Sequence, residues 1–266
     1  MLDFIVNVGK AKGDSELVRG ALRLASQHPS FLTGLQLVPA YPSLLEENDS
    51  MAELAAAEDS ATARRAWWLE TCRAAGVTGN WEVLRGDPAD ALARRSRLAD
   101  LVIGELPISD PDAPAGFDEV TRTLFAQSSA MLLVPDVWHG ELAAKRILVA
   151  WNGSGEAAHA VKAALPLLKQ ARTVQVLDGE RVALSGISPP RLPLREWFER
   201  HDIETQWHAF PSEHDAGRAL HHQAKTLNTD LMVMGAWGRS RLRELMLGGA
   251  TRWMLENATL PLLLAR

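Results

Sequence analysis

The stretch DLMVMG at residues 230–235 has a counterpart, DLVIG, at residues 100–104, and this pair decides the fold. Each begins with aspartate, continues as a short apolar run and ends in glycine. Three more matches occur in the same order along the chain: FIVNVG from residue 4 with ILVAWNG from 147, WEVLRGDPADAL from 81 with WHAFPSEHDAGRAL from 207, and VTRTLFAQSSAMLLVP from 120 with ATRWMLENATLPLLLA from 250. Four matches in one order indicate a duplicated unit.

Each copy alternates short apolar runs with segments of helical periodicity. In the second copy RILVAW, residues 146–151, is continuously apolar after its arginine, which is typical of a strand buried on both faces. Strands that alternate with helices form parallel sheets with right-handed crossovers. The sequence therefore predicts an α/β fold of two tandem doubly wound domains with five-stranded parallel sheets.

The predicted domains are residues 1–138 and 145–266, and the linker is PDVWHGELAAK at residues 135–145. Pro166 lies inside a helical pattern and is expected to kink that helix or end it early. In the first copy residues 51–75 predict one long alanine-rich helix, which carries Cys72 as a packed thiol.

Composition excludes several classes of protein. The net charge is −5 and the pI about 5.9, so a nucleic-acid partner is not expected. Cys72 is the only cysteine, which rules out an internal disulfide and suits a reducing compartment. The first residues lack signal-peptide character, and no apolar run approaches the length of a membrane span. We expect a cytoplasmic protein with no membrane partner.

Glycines frame a basic loop after the fourth predicted strand of the second copy, residues 230–235. Gly235, Gly238 and Gly248 follow the spacing G-x2-G-x9-G, after a predicted strand and before a predicted helix. Glycine lets the backbone approach another group closely, and a helix N-terminus favours an anion. The same spacing also fits an ordinary strand–loop–helix turn, and the nearby Arg241 and Arg243 fit either a partner surface or a solvated loop.

With these glycines and the corner VAWNGS at residues 149–154, the chain resembles a tandem member of the universal stress protein (UspA-type) family. The resemblance covers nearly the whole chain, with the motif intact only in the second copy, and it implies domains that are Rossmann-like and of the adenine nucleotide alpha hydrolase-like type. It implies that ATP or another adenine nucleotide binds across the strand ends of the second domain. The implied nucleotide-binding residues are Ala150, Trp151, Asn152, Val176, Met234, Gly235, Gly238, Arg239, Gly248, Gly249, Ala250 and Thr251.

Within that set the resemblance assigns roles. Backbone N–H groups of Gly248, Gly249 and Ala250 would meet phosphates, Gly238 and Arg239 would close over them, and Thr251 would add a hydroxyl. Asn152 would lie at the ribose or phosphate. Backbone near Ala150, Val176 and Met234 would border the adenine.

The sequence departs from the family pattern in three places. Gly249 stands where a serine or threonine is usual, and Asn152 stands where an acid is usual, which removes a possible magnesium ligand. Trp151 and Trp237 add bulk at the expected pocket. No metal site and no catalytic residue is predicted.

The first copy has GELPISDPDAPAGFDE, residues 104–119, where the second has its glycines. Its acids, Glu105, Asp110 and Asp112 among them, would repel phosphate, and its prolines remove backbone donors. We therefore expect no nucleotide in the first domain. The resemblance implies that this domain pairs with the second one within the chain, and a homodimer is a further possibility.

The function predicted is a non-enzymatic stress-response protein that binds an adenine nucleotide and an unknown protein partner. The alternatives are a nucleotide-independent interaction protein and a slow ATP hydrolase, although no G-x4-G-K-[ST] loop occurs.

Ser154 fits a helix N-cap at least as well as a ligand contact. Five histidines toward the end of the second copy lack ligand spacing and are expected to be solvated: His201, His208, His214, His221 and His222.

Overall fold

The computed structural model describes residues 1–9, 15–40, 48–106, 129–180, 191–210, 215–236 and 249–266. The chain divides into two compact units, Met1–Val134 and Pro135–Arg266. The division falls where the predicted linker of residues 135–145 begins.

The first unit alternates strands and helices as its apolar pattern predicts. A single 3-10 turn, Ser96–Leu98, separates its last described helix from the following strand. Its elements are β1 (Leu2–Asn7), α1 (Glu16–Ser26), β2 (Ser30–Pro39), α2 (Asn48–Ala63), α3 (Arg65–Ala74), β3 (Thr78–Gly86), α4 (Pro88–Arg95), β4 (Leu101–Leu106) and β5 (Ala130–Pro135).

The second unit repeats the alternation. Its elements are β6 (Arg146–Trp151), α5 (Gly155–Ala163), α6 (Leu165–Leu168), β7 (Thr173–Asp178), α7 (Leu194–Arg200), β8 (Thr205–Ala209), α8 (Ala216–Thr226), β9 (Leu231–Gly235), α9 (Ala250–Asn257) and β10 (Leu262–Ala265). Pro166 lies in the one-turn helix α6, after α5 has ended at Ala163, so the expected early end of the helix is confirmed.

The strand order is the same in the two units. It is β3-β2-β1-β4-β5 in the first and β8-β7-β6-β9-β10 in the second. β1 pairs in parallel with β2 and β4, and β6 pairs in parallel with β7 and β9. Since the first strand of each unit is central and the order reverses there, each sheet has the switch point of a doubly wound fold. The predicted α/β fold of two tandem doubly wound domains is confirmed.

The two aspartates of the opening stretches make the same contact in the two units. The Asp100 carboxylate accepts a hydrogen bond from the backbone N–H of Asp3 at 2.8 Å, and the Asp230 carboxylate accepts one from Arg146 at 2.8 Å. Each aspartate thereby ties the start of its unit's first strand to the start of the fourth. The contact is exposed at Asp100, whereas Asp230 is buried.

The long helix predicted over residues 51–75 is wrong, because α2 ends at Ala63 and α3 begins at Arg65. The indole Nε1 of Trp81, on β3, donates to the carbonyl of Ala61 at 2.9 Å. In a regular helix that carbonyl would accept a hydrogen bond from the Arg65 N–H. The Trp81 indole therefore competes with the helix's own hydrogen bonding at this point. The Arg64 guanidinium donates to the Gly9 carbonyl at 2.6 Å and to Gln36 Oε1 at 2.7 Å.

Apolar side chains fill both units. In the first, Trp68 and Trp81 are buried, their ring centroids are 5.8 Å apart, and a Cβ at Gly34 would lie 2.5 Å from the Trp68 ring. Cys72 is buried on α3, as predicted, and burial raises the pKa of its thiol to about 11. Among the described helices none combines the length and apolarity that a membrane crossing requires.

Candidate functional site

The carboxyl ends of β6, β7 and β9 meet at one edge of the second unit. Ala150 is in register with Met234 on β9, and Trp151 is in register with Asp178 on β7. Four of the residues named from the sequence therefore share this edge: Ala150, Trp151, Met234 and Gly235. In parallel α/β sheets this is the edge at which ligands bind.

The side chain of Trp151, the last residue of β6, is buried and fixed rather than projecting freely from this edge. Its side chain is only 4% exposed, and its indole Nε1 donates to Glu180 Oε2 at 2.8 Å. The carboxylate holds the indole in place and uses its single donor.

The turn after β6 is ordered by its own side chains. The Asn152 Oδ1 accepts from the backbone N–H of Ser154 at 3.1 Å, and Ser154 Oγ accepts from Ala157 N–H at 3.1 Å. The predicted N-cap at Ser154 is confirmed. Asn152 is exposed, but its side-chain oxygen serves the turn.

Gly235 has a structural reason to be glycine that involves no ligand. A Cβ at Gly235 would lie 2.5 Å from the backbone nitrogen of Ala157 and 2.7 Å from the carbonyl carbon of Glu156. Both atoms belong to the first turn of α5, which packs directly on the end of β9. The absence of a side chain at Gly235 therefore permits the close approach of this helix to this strand.

At the other end of the glycine motif, Gly249 is the N-cap residue of α9. Glycine has no side chain to cap the helix, so the first-turn N–H groups of Ala250 and its neighbours receive no bond from the cap residue. The Gly249 carbonyl accepts from Trp253 N–H at 3.0 Å. Thr251, the predicted source of a hydroxyl, is buried with 3% exposure.

Other predicted site residues lie elsewhere or outside the described part of the chain. Val176 is fully buried in β7, two residues before the strand ends at Asp178, and it is in register with Val149 and Trp207 in the sheet. Outside the described residues lie Gly238, Arg239 and Gly248, together with Trp237, Arg241, Arg243, His214, Asp110 and Asp112.

Sequence reasoning missed a charged cluster at the end of β7. Asp178 Oδ1 accepts from Glu180 N–H at 3.1 Å, and the Arg191 guanidinium pairs with Asp178 and, at 3.8 Å, with Glu180. The hydrogen bond to Asp178 is the main reason that the pKa of Arg191 is raised. Glu180 Oε1 also accepts from Leu192 N–H at 3.1 Å. The sequence signal was Asp178 itself, an acid that ends a mostly apolar run.

Glu180 also explains the glycine of the NGS turn. Gly153 has φ +72°, and a Cβ there would lie 2.7 Å from the Glu180 carboxyl carbon. Glycine is required at this position both for the left-handed backbone and for the close approach of the Glu180 side chain.

The described histidines are not gathered into one site. His208 Nε2 lies 3.0 Å from Gln175 Oε1, and the His201 ring packs against Trp197 with centroids 4.4 Å apart. His221 is less solvated than predicted: its ring lies 5.5 Å from that of Trp253, and burial is the main reason that its pKa is lowered, with Lys225 adding to the shift. Within the described ranges no group of three or more potential ligands could hold a metal ion.

Comparisons with known proteins agree with this architecture. Residues 143–266 match the model of the universal stress protein family. Over 99% of the chain, the structure is similar to a universal stress protein from Archaeoglobus fulgidus DSM 4304, with 14% identity, a TM-score of 0.69 and 96% of that chain covered. It is also similar to a putative universal stress protein from Pseudomonas aeruginosa UCBPP-PA14, with 14% identity, a TM-score of 0.56 and 92% of that chain covered. No curated protein matches the sequence.

The fold and its strand-end edge define a tandem, doubly wound α/β protein. Its second half belongs to the universal stress protein family, and the chain is a tandem of two domains with that fold.

Proposed function

We propose that the second unit binds an adenine nucleotide, ATP or a relative, at the carboxyl ends of β6 and β9, and that the protein acts as a non-enzymatic stress-response regulator in the cytoplasm. The observation that carries the proposal is the placement of the glycine motif in a domain of this family. Gly235 ends β9, and Gly249, directly after the last motif glycine, is the N-cap residue of α9 and has no side chain to cap it.

Charge sets the orientation of the nucleotide. The first-turn N–H groups of α9 and the helix dipole attract phosphate, and Ala250 lies in this turn. At the β7 end, the carboxylates of Asp178 and Glu180 outnumber the single Arg191 guanidinium. Phosphate is therefore disfavoured at β7 and favoured at α9, so the ribose and base occupy the edge beside Trp151 and Asp178.

The motif can be tested by equilibrium dialysis of the full-length chain against labelled ATP. We expect saturable binding by the wild type, loss of binding in Gly238→Val, and several-fold weaker binding in Arg239→Gln, because that side chain adds charge at the phosphates. Arg172→Gln is the matched control, since Arg172 is exposed and lies just before the start of β7, at the opposite edge of the sheet from the strand carboxyl ends. Its affinity should equal that of the wild type.

Equal, negligible binding by all four proteins would contradict nucleotide binding. It would favour a nucleotide-independent interaction protein, which is the second candidate because Asn152, in place of an acid, is engaged in its own turn. ATP turnover well above background that is lost in Arg239→Gln would contradict the non-enzymatic part of the proposal.

A further inference from the structure

A cavity lies between α5 and α7 of the second unit, next to Trp151, the last residue of β6. Its volume is about 210 Å³. The helices contribute one face each: Ala158, Val161 and Lys162 from α5, and Trp197 and Arg200 from α7.

The walls of this cavity are apolar and include two indole rings. The Trp151 ring forms one wall, and since its Nε1 donates to Glu180, the donor of that indole is already used. Trp197 forms another and is itself held by ring contacts with Phe198 and His201. Leu192 also lines the cavity and is 45% exposed, an apolar surface that a ligand would cover. Such walls suit a flat ring.

Two cations lie among these apolar walls. Lys162 and Arg200 are exposed and line the cavity, and within the described ranges neither forms an ion pair. The described lining contains no carboxylate. A ligand with one negative group and an apolar ring would match this distribution of charge.

We propose that this cavity binds a small aromatic carboxylate of one or two rings, as a ligand distinct from the nucleotide, with Trp151 at the border of the two sites. Size supports the assignment, because a cavity of roughly 150 Å³ holds benzene, and this one adds room for a second ring or a short acidic chain. The ring lies between Trp151 and Trp197, and the carboxylate is bound by Lys162 and Arg200.

The test is isothermal titration calorimetry of the full-length chain with two probes, indole-3-acetate and neutral indole. We expect saturable binding of indole-3-acetate with a Kd below about 1 mM. Ala158→Leu adds three carbons from a half-buried helix position, so it should weaken both probes about 10-fold or more by filling the cavity.

The charge variants separate the carboxylate from the ring. Lys162→Gln and Arg200→Gln should each weaken indole-3-acetate about 3- to 10-fold and leave indole unchanged, because only the acid has a charge to pair. Lys169→Gln is the matched control, an exposed lysine in the same unit that is not part of the lining, and it should bind like the wild type. Both charge variants alter exposed side chains, so the test does not depend on the folding of Ala158→Leu.

The absence of saturable binding by wild type up to about 5 mM probe, or unchanged affinity in Ala158→Leu with a native circular dichroism spectrum, would overturn the proposal. So would displacement of indole-3-acetate by saturating ATP in direct competition, which would make the cavity part of the nucleotide site. If ATP fails to bind while indole-3-acetate binds as described, the nucleotide proposal fails and this one stands.

Discussion

Gly235 shows how a single residue can belong to a ligand motif and still be required for packing. Its sequence context suggested close approach of the backbone to a phosphate. In the structure the close approach is to α5, whose Ala157 nitrogen lies where a side chain at Gly235 would begin. Gly104 ends the matching stretch of the first unit one position earlier and is far less crowded, since among the described residues a Cβ there would meet only the Asn7 Cβ at 3.9 Å.

We therefore expect Gly235→Ala to lower the free energy of unfolding by about 2–3 kcal/mol, because helix and strand backbones must separate to admit the methyl group. Gly104→Ala, in the corresponding strand of the first unit, is the control and should change it by less than about 1 kcal/mol, since its Cβ makes an ordinary contact. Urea unfolding measures both. Equal losses in the two variants would contradict the packing argument.

At the scale of elements, α1 and α5 each begin where a serine side chain accepts a hydrogen bond from a first-turn N–H group. Ser154 caps α5 at 3.1 Å, and Ser15 caps α1 in the first unit at 3.4 Å. The same logic fails to predict the break between α2 and α3, because the cause lies on another element. Trp81 on β3 reaches the Ala61 carbonyl from outside the helix.

Ser154→Ala should cost about 1 kcal/mol of stability by leaving the Ala157 N–H without its capping acceptor. Ser154→Thr retains the hydroxyl and should recover most of that loss. Ser15→Ala should cost less than Ser154→Ala, because the bond it removes is longer. Chemical denaturation of the three variants provides the measurement, and a loss in Ser154→Thr as large as in Ser154→Ala would refute the capping role.

At the scale of the whole molecule, duplication has placed one contact in two environments. Asp100 and Asp230 each accept from the first strand of their unit, but only Asp230 is buried. Burial raises the pKa of Asp230, against the opposing effect of its hydrogen bond from Arg146. The buried Asp230 carboxyl accepts a hydrogen bond from the backbone N–H of Arg146.

Asp230→Ala should destabilise the second unit by about 2 kcal/mol, because it leaves the Arg146 N–H without this acceptor at a part-buried site. Asp100→Ala, the matched change in the first unit, should cost less than about 1 kcal/mol, since water replaces an exposed acceptor. Hydrogen exchange resolved by segment should show faster exchange in β6 and β9 for Asp230→Ala. Unchanged exchange there would contradict the assigned contact.

The sequence by itself determined the duplication, the alternation of strands and helices, the parallel sheets, the Ser154 cap and the early end of the helix before Pro166. These features depend on periodicity, on residues within a few positions of one another and on one unit repeated. Only the tertiary structure decided the break at Arg64, the Asp178–Glu180–Arg191 cluster, the packing reason for Gly235 and the cavity between α5 and α7. Each of these joins side chains or backbones that are distant along the chain, and their contacts arise only when strands and helices pack together.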